Sequence, residues 1–369
     1  MNTATHPVRI GIIGCGKISQ AYFNGAKAFD ILQLVACADL NSEVARTQAE
    51  ANDCEALSVD ALLAREDIDL VINLTIPSAH AGVHRRILAA GKHTYGEKPL
   101  AVGLEEGKDV LDLALQLDLR IGSAPDTFLG AGLQTCRELV DASAIGRVVA
   151  GTAFMLSPGP ESWHPNPGFY YLKGGGPVFD MAPYYLTALV HLIGPVRRVT
   201  GLTGQALAER VATSEARFGK RLPVEVATHA SATLEFVSGA LITAAFSFDV
   251  PAHGHSPIEL YGTEGSLKVP DPNGFGGPVE CFKKSEAASG WQTQELKRPY
   301  AEQKRGVGVA DMAHAIRSER PHRASGALAL HVLEVMHAFD DSSASGQAVE
   351  IRSRPERPAA LPADGVGES

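Results

Sequence analysis

The stretch VRIGIIGCGKIS (8–19) runs a short apolar, β-branched segment into a glycine-rich turn, and its reading decides the fold. Gly14, Gly16 and Ser19 form a G-x-G-x-x-S pattern between a predicted strand and a predicted helix, with Ser19 in place of a third glycine. The first glycine lets the chain turn tightly, and the second lets a pyrophosphate approach backbone N–H groups at a helix N-terminus. Glycine-rich turns are common, so the pattern needs a second signal. Asp39 supplies it, twenty residues after Ser19 at the end of LQLVACAD (32–39). A carboxylate there can accept both ribose hydroxyls of NAD and repels a 2′-phosphate. Leu40 adds no positive charge, so NAD is favoured over NADP. Asp39 also has a plainer reading as a helix cap, because Asp39 and Asn41 both precede the helical stretch SEVARTQAEA.

Outward from this turn, VRIGIIG, LQLVACAD, DLVINLTI, KHTYGEKP and LRIGSAP alternate with segments of helical periodicity. That alternation predicts a doubly wound parallel sheet of the Rossmann type over residues 1–125. Past GAGLQTCRELVDAS the character changes: GRVVAGTAFML, VRRVTGLTGQAL, VATHASATLEF, ALITAAFSFDV and IELYGTEGSLKV follow with few helices between them. The fold class is therefore α/β, with an α+β domain built on a large, mainly antiparallel open sheet over residues 126–351. Two late helices, VGVADMAHAIRSE and GALALHVLEVMHAF, are expected over that sheet or at the domain junction. Residues 352–369, rich in Pro, Gly, Ala and charge, read as a loose tail.

A chain of 369 residues with 45% apolar side chains buries a sizeable core and favours two domains. Its net charge of −9 argues against nucleic acid and for a small-molecule ligand. The start, MNTATHPVRIGIIG, carries no signal-peptide pattern, no apolar run reaches membrane-spanning length, and the five cysteines are odd in number and scattered. A cytoplasmic protein without a metal site is expected. His253 and His255 in PAHGHSP resemble a ligand pair only superficially, because no third ligand stands nearby in sequence.

HTYGEKPLA (93–101) places Glu97, Lys98 and Pro99 at the carboxyl edge of the predicted sheet, where open α/β sheets bind ligands. With GIIGCGKIS, Asp39, AGKHTYGEKPLA, GGG-x-x-x-D and IELYGTEGSL in this order, the chain resembles the glucose-fructose oxidoreductase and inositol dehydrogenase family, Gfo/Idh/MocA. The resemblance covers nearly the whole chain. It implies an NAD-binding Rossmann domain and a second domain whose open sheet serves as a subunit interface, in a homodimer or homotetramer. It also implies a Lys98–Pro99 bond that is cis and a Lys98 beside the nicotinamide and the reacting hydroxyl. Gly14, Gly16, Lys17, Ile18, Asp39, Thr75, Glu97 and Lys98 are the expected cofactor contacts.

GGGPVFDMAPYYL (174–186) carries the other half of the implied site. Family members usually have an aspartate and, four residues on, a histidine; here Asp180 is followed by Tyr184, and some relatives look similar in using tyrosine. Residues four apart share a helix face, so both can point at one ligand. The competing reading makes Asp180 the helix cap, Pro183 a first-turn residue and Tyr184 a core aromatic. A phenol is protonated at neutral pH, so as a base it needs help. One cation ~4 Å away contributes about 4 kcal/mol at an effective dielectric near 20. Lys98 is the expected cation, with Asp180 orienting substrate hydroxyls.

Substrate contacts are expected from Lys98, Asp126, His164, Asp180 and Tyr184. Asp126 lies in APDTFLG, where many relatives carry an arginine-containing segment, and His164 in ESWHPNPGFYY is equally readable as an ordinary loop histidine. His80 reads as structural, at the start of a helix near the cofactor. The activity this predicts is hydride transfer between a sugar, polyol or related hydroxylated molecule and nicotinamide, in a cleft between the domains. An NAD-dependent glycosidase acting by transient oxidation and a non-catalytic cofactor-sensing regulator are the alternatives.

Overall fold

Strands buried on both faces cannot alternate polar with apolar residues, and β1 (Val8–Ile13) buries Ile10, Gly11, Ile12 and Ile13 in succession. In the computed structural model, which describes residues 6–367, the chain continues through α1 (Ser19–Ala28), β2 (Leu32–Ala38), α2 (Ser42–Asn52), β3 (Glu55–Leu57) and α3 (Val59–Ala64). Next come β4 (Leu70–Asn73), α4 (His80–Ala89), β5 (His93–Gly96), α5 (Leu104–Gln116) and β6 (Ile121–Ser123). The six strands lie in the order β3-β2-β1-β4-β5-β6, every pair parallel. Strand order reverses between β1 and β4, which opens a crevice at the carboxyl ends of these two strands. Ile13, Ala36 and Val71 from the strands pack with Leu62 of α3 and Ile87 of α4.

The second sheet starts after α6 (Ala131–Asp141). Its elements are β7 (Val148–Leu156), α7 (Gly176–Ile193), β8 (Val196–Gly204), the small hairpin β9 (Glu209–Val211) and β10 (Arg221–Pro223), β11 (His229–Phe236) and β12 (Leu241–Ser247). β13 (Ile258–Gly262), β14 (Gly265–Val269), β15 (Val279–Lys283), β16 (Gln292–Gln294), α8 (Val307–Ser318), α9 (Gly326–Ser345) and β17 (Val349–Glu350) complete the chain. Nine strands run in the order β16-β15-β14-β13-β7-β12-β11-β8-β17, antiparallel except where β12 meets β7. Along β11 and β12, Ala230, Ala232, Leu234, Ile242, Ala244 and Phe246 are buried, with Phe246 edge-on to Tyr185 of α7 and Phe339 of α9. The opposite face, with Leu202, Ser231, Thr233, Leu241 and Thr243, is exposed.

Sequence order does not map simply onto the two compact units. The first takes residues up to Leu129, then Gln303–Leu330 and the chain from Leu361; the second takes Gly130–Glu302 and His331–Ala360. α8, expected over the second sheet or at the junction, thus belongs to the first unit. Its N-terminus is held there by the buried Asp126 carboxylate, which accepts the Gly306 and Gly308 N–H groups at 2.8 and 3.1 Å. The segment read as a loose tail is also tied down. Glu334 accepts the N–H groups of Arg352 and Ser353 at 2.8 and 2.9 Å, and Arg357 donates to the His191 carbonyl and to Asp141, each at 2.8 Å. The N-terminal residues 1–5 and the last two of the tail lie outside the described residues.

Candidate active site

β1 delivers the chain to Gly14, whose φ is +99° and where a Cβ would stand 2.6 Å from the Leu74 carbonyl oxygen. Both facts demand glycine. Gly16 differs, because a Cβ there would meet nothing within 4 Å. The protein leaves that space open, and a ligand passing close over the turn is what would use it. Ser19 opens α1 and its buried hydroxyl donates to the Gly16 carbonyl at 2.7 Å, so serine serves where a third glycine was the usual expectation. At the start of α1 the Ser19 and Ala21 N–H groups donate to the Gly16 and Ile18 carbonyls at 3.0 and 3.1 Å, and the positive end of the helix dipole beside the open turn suits a pyrophosphate; Lys17 is exposed beside it and Ile18 stands at the cap position.

Asp39 follows β2. Its carboxylate accepts the Cys15 N–H through Oδ2 and the Asn41 N–H through Oδ1, both at 2.8 Å. The cap of α2 is Asn41, which accepts the Glu43 N–H at 3.1 Å, so the cap reading of Asp39 falls. Backbone bonds thus fix a carboxylate beside the glycine turn with lone pairs left for ribose hydroxyls. Open space over Gly16, the N-terminus of α1 and this carboxylate together fit a dinucleotide.

At the end of β5, Glu97 is buried. Its carboxylate accepts from the Tyr22 hydroxyl of α1 at 2.8 Å, from the Arg305 guanidinium at 2.9 Å and from the Lys98 N–H at 3.1 Å. Burial alone would raise its pKa, but the positive charges of Arg305 and Lys98 and the Tyr22 bond outweigh it, and the net direction is downward. Glu97 therefore anchors the turn from beneath, while the half-buried Lys98 precedes a cis Pro99. Thr75, half-buried after β4, donates its hydroxyl to Asn73 Oδ1 at 2.6 Å. Asp126, expected at the substrate, is wholly buried and caps α8; burial pushes its pKa up against the charge of Arg305 and the two glycine N–H bonds. A substrate cannot reach it in this arrangement.

In the second unit the three glycines answer two demands. Gly174 and Gly176 have φ of +86° and +80°, and a Cβ on Gly175 would stand 2.6 Å from the Tyr170 carbonyl. α7 begins at Gly176 with Gly175 as its cap, one turn earlier than the Asp180 cap reading requires, and runs through Pro183. Asp180 is half-buried in the second turn and Tyr184, at 6% exposure, follows it on the same face. His164 accepts the Asn166 N–H at 3.0 Å, and its ring lies edge-on to Trp163, Phe169 and Tyr170. His253 and His255 are exposed and stacked at 6.2 Å; among the described residues no group of three or more His, Cys, Asp or Glu is placed to hold a metal.

Residues 8–124 match the family model described as "Oxidoreductase family, NAD-binding Rossmann fold", and residues 133–268 match "GFO/IDH/MocA C-terminal domain". The chain belongs to the Gfo/Idh/MocA oxidoreductase family. Over 197 residues it is 34% identical to a dTDP-3,4-didehydro-2,6-dideoxy-alpha-D-glucose 3-reductase of Streptomyces violaceoruber, covering 53% of this chain and 57% of that protein. An inositol 2-dehydrogenase of Rhizobium meliloti (strain 1021) is 27% identical over 187 residues, 48% of this chain and 55% of that protein. The chain thus spans little more than half the length of these relatives. An oxidoreductase domain protein from Kribbella flavida superposes with a TM-score of 0.81 at 23% identity, covering 94% of this chain and all of that one. No helix among the described residues is long and apolar enough to cross a membrane.

Two residues that fasten this Gfo/Idh/MocA turn, Tyr22 and Arg305, had no place in the sequence reading, and Arg305 stands 208 positions from Glu97. Spacing carries no signal for either, since their partner is fixed by tertiary contact alone. His80, read as structural at the start of a helix near the cofactor, stands at the start of α4 with its ring between the Thr75 and Pro99 carbonyls.

Proposed function

We propose that this protein is an NAD-dependent dehydrogenase or reductase of a sugar, polyol or related hydroxylated small molecule. What carries this reading is the pairing of an open Gly16 with a backbone-fixed Asp39 at the β1/β4 crevice. Bound NAD supplies the hydride acceptor. The chain's own residues manage the proton and the geometry. In the oxidative direction Tyr184 and Lys98 together take the hydroxyl proton while the carbinol carbon loses hydride; in reduction they return a proton to the carbonyl oxygen. Asp180, one turn before Tyr184, accepts from neighbouring substrate hydroxyls and orients the reacting carbon. Asp39, followed by a fully exposed Leu40 and no cation, supports NAD over NADP. His164 is kept as a substrate contact. The five free cysteines support a cytoplasmic setting, and the broad exposed face of the nine-stranded sheet supports a homodimer or homotetramer with the sheets as interface.

The experiment is kinetic. Across a panel of sugars and polyols, at least one should reduce NAD, and Tyr184→Phe should lower kcat by roughly 10²- to 10⁴-fold while the NAD dissociation constant changes by less than about twofold. Full turnover in that variant contradicts the role of Tyr184. Silence over the whole panel contradicts the proposed reaction.

A further inference from the structure

His80 opens α4 and is 1% exposed, and its ring lies between two backbone carbonyls. Nε2 stands 2.9 Å from the Thr75 oxygen and Nδ1 stands 2.6 Å from the Pro99 oxygen. A carbonyl only accepts, so each contact is a hydrogen bond only if that ring nitrogen carries a proton. Burial draws the ring's pKa below its ordinary value against the pull of the two carbonyls and the charge of Glu97, and the Lys98 charge adds to the fall, so the neutral ring donates from one nitrogen at a time. Among the described residues these two carbonyls are the ring's hydrogen-bond partners, and the nearby His84 ring, 6.4 Å away, meets it only edge-on.

The two carbonyls belong to segments with different tasks. Thr75 follows β4, where the backbone packs on the glycine turn: a Cβ on Gly14 would be 3.0 Å from the Thr75 nitrogen. Asn73 secures this side by donating to the His80 carbonyl at 3.0 Å and accepting from the Thr75 hydroxyl at 2.6 Å. Pro99 directly follows Lys98 on the neighbouring strand end. The His80 ring is therefore a strut from the segment beside the cofactor turn to the turn that carries the proton-transfer lysine.

We propose that His80 is a positioning residue for hydride transfer, its Nε2–H tautomer setting the Thr75 segment for the dinucleotide and its Nδ1–H tautomer setting the Pro99 carbonyl, and through it Lys98. The inference rests on the proposed dehydrogenase reading. It separates cofactor binding from turnover at a single side chain, which a residue serving only to fill the α4 N-terminus would not do.

Two amide replacements divide the ring's contacts. An asparagine amide reaches the place of Nδ1 and a glutamine amide the place of Nε2. In the full chain, His80→Asn should keep kcat within about twofold and weaken NAD binding by roughly five- to tenfold. His80→Gln should bind NAD like the wild type and lose about 10- to 100-fold in kcat, as expected for a displaced reacting group. Urea midpoints near the wild-type value exclude unfolding as the cause. Parallel losses in both constants for both variants, or no change in either, would overturn the assignment. Each variant carries its own expectation, so one that folds suffices. If neither folds, a crystal structure of the wild type with NAD decides: both contacts retained supports the strut, and loss of either overturns it. A wild type that binds no NAD and oxidises no polyol counts against the proposed function; an active wild type whose variants scale together counts against His80 alone.

Discussion

Two glycines of one turn separate what the fold needs from what the ligand needs. Gly14→Ala places a side chain at φ +99° and 2.6 Å from a backbone oxygen, so it should cost about 1–3 kcal/mol of stability, read as a lower urea midpoint. Gly16→Ala meets nothing in the protein and should leave that midpoint unchanged, while weakening NAD binding in isothermal titration. Equal effects of the two substitutions on stability would show that Gly16 is structural as well. Asp39→Ala removes a charged acceptor of the ribose hydroxyls, each such bond contributing about 1.5–3 kcal/mol, so KM for NAD should rise roughly ten- to hundredfold. The same variant should narrow or invert the preference over NADP. A wild type that already prefers NADP contradicts the Asp39 reading.

Elements were legible where a local pattern spans enough residues to repeat. Five of the six parallel strands coincide with apolar runs in the sequence, but β3 has three residues and offers no period to read. α7 was legible as a helix, yet Asp180 and Pro183 together imitate an N-terminus, and only the backbone torsions of Gly174 and Gly176 place the true start at Gly176. The return of α8 to the first unit was hidden, because its fastenings lie far away in sequence: the buried Asp126 carboxylate, read beforehand as a substrate contact, at its start, and Asp69, paired with Arg317, near its end. The Asp126 fastening makes a pH prediction. The folded-state pKa of Asp126 is raised from 3.8, so its contribution is present below that value and is lost as pH rises through the folded pKa. Asp126→Asn keeps an acceptor for both glycine N–H groups and carries no charge; it should match or exceed wild-type stability at pH 7, with the gap closing towards pH 3.8. Glu97 has the opposite sign: its folded pKa is lowered from 4.5, so its contribution is complete above that pH and lost as pH falls through the folded value. Removing its buried partner by Arg305→Met should cost about 3–5 kcal/mol at pH 7, measured by urea unfolding, because the carboxylate keeps its Tyr22 and Lys98 N–H bonds but loses its buried guanidinium.

For the whole molecule, the two sheets and most motif residues could be read from sequence, whereas the interleaving of the two units could not. Local patterns report burial and period, but not which distant segment supplies Arg305 or where residues 303–330 settle. Assembly belongs to this scale too. The exposed sheet face includes Leu202 at 70% and Leu241 at 50% exposure, and a charge placed there by Leu202→Glu should lower the sedimentation coefficient towards that of a monomer. A wild type that already sediments as a monomer contradicts an interface through this sheet. The central claim of the proposed function, that Lys98 and Tyr184 both act on the reacting hydroxyl, is tested most directly by a crystal structure with NAD and an oxidisable polyol bound. The account predicts Lys98 Nζ and Tyr184 Oη within about 3.2 Å of the same substrate oxygen; either group out of reach of that oxygen in the ternary complex would contradict it.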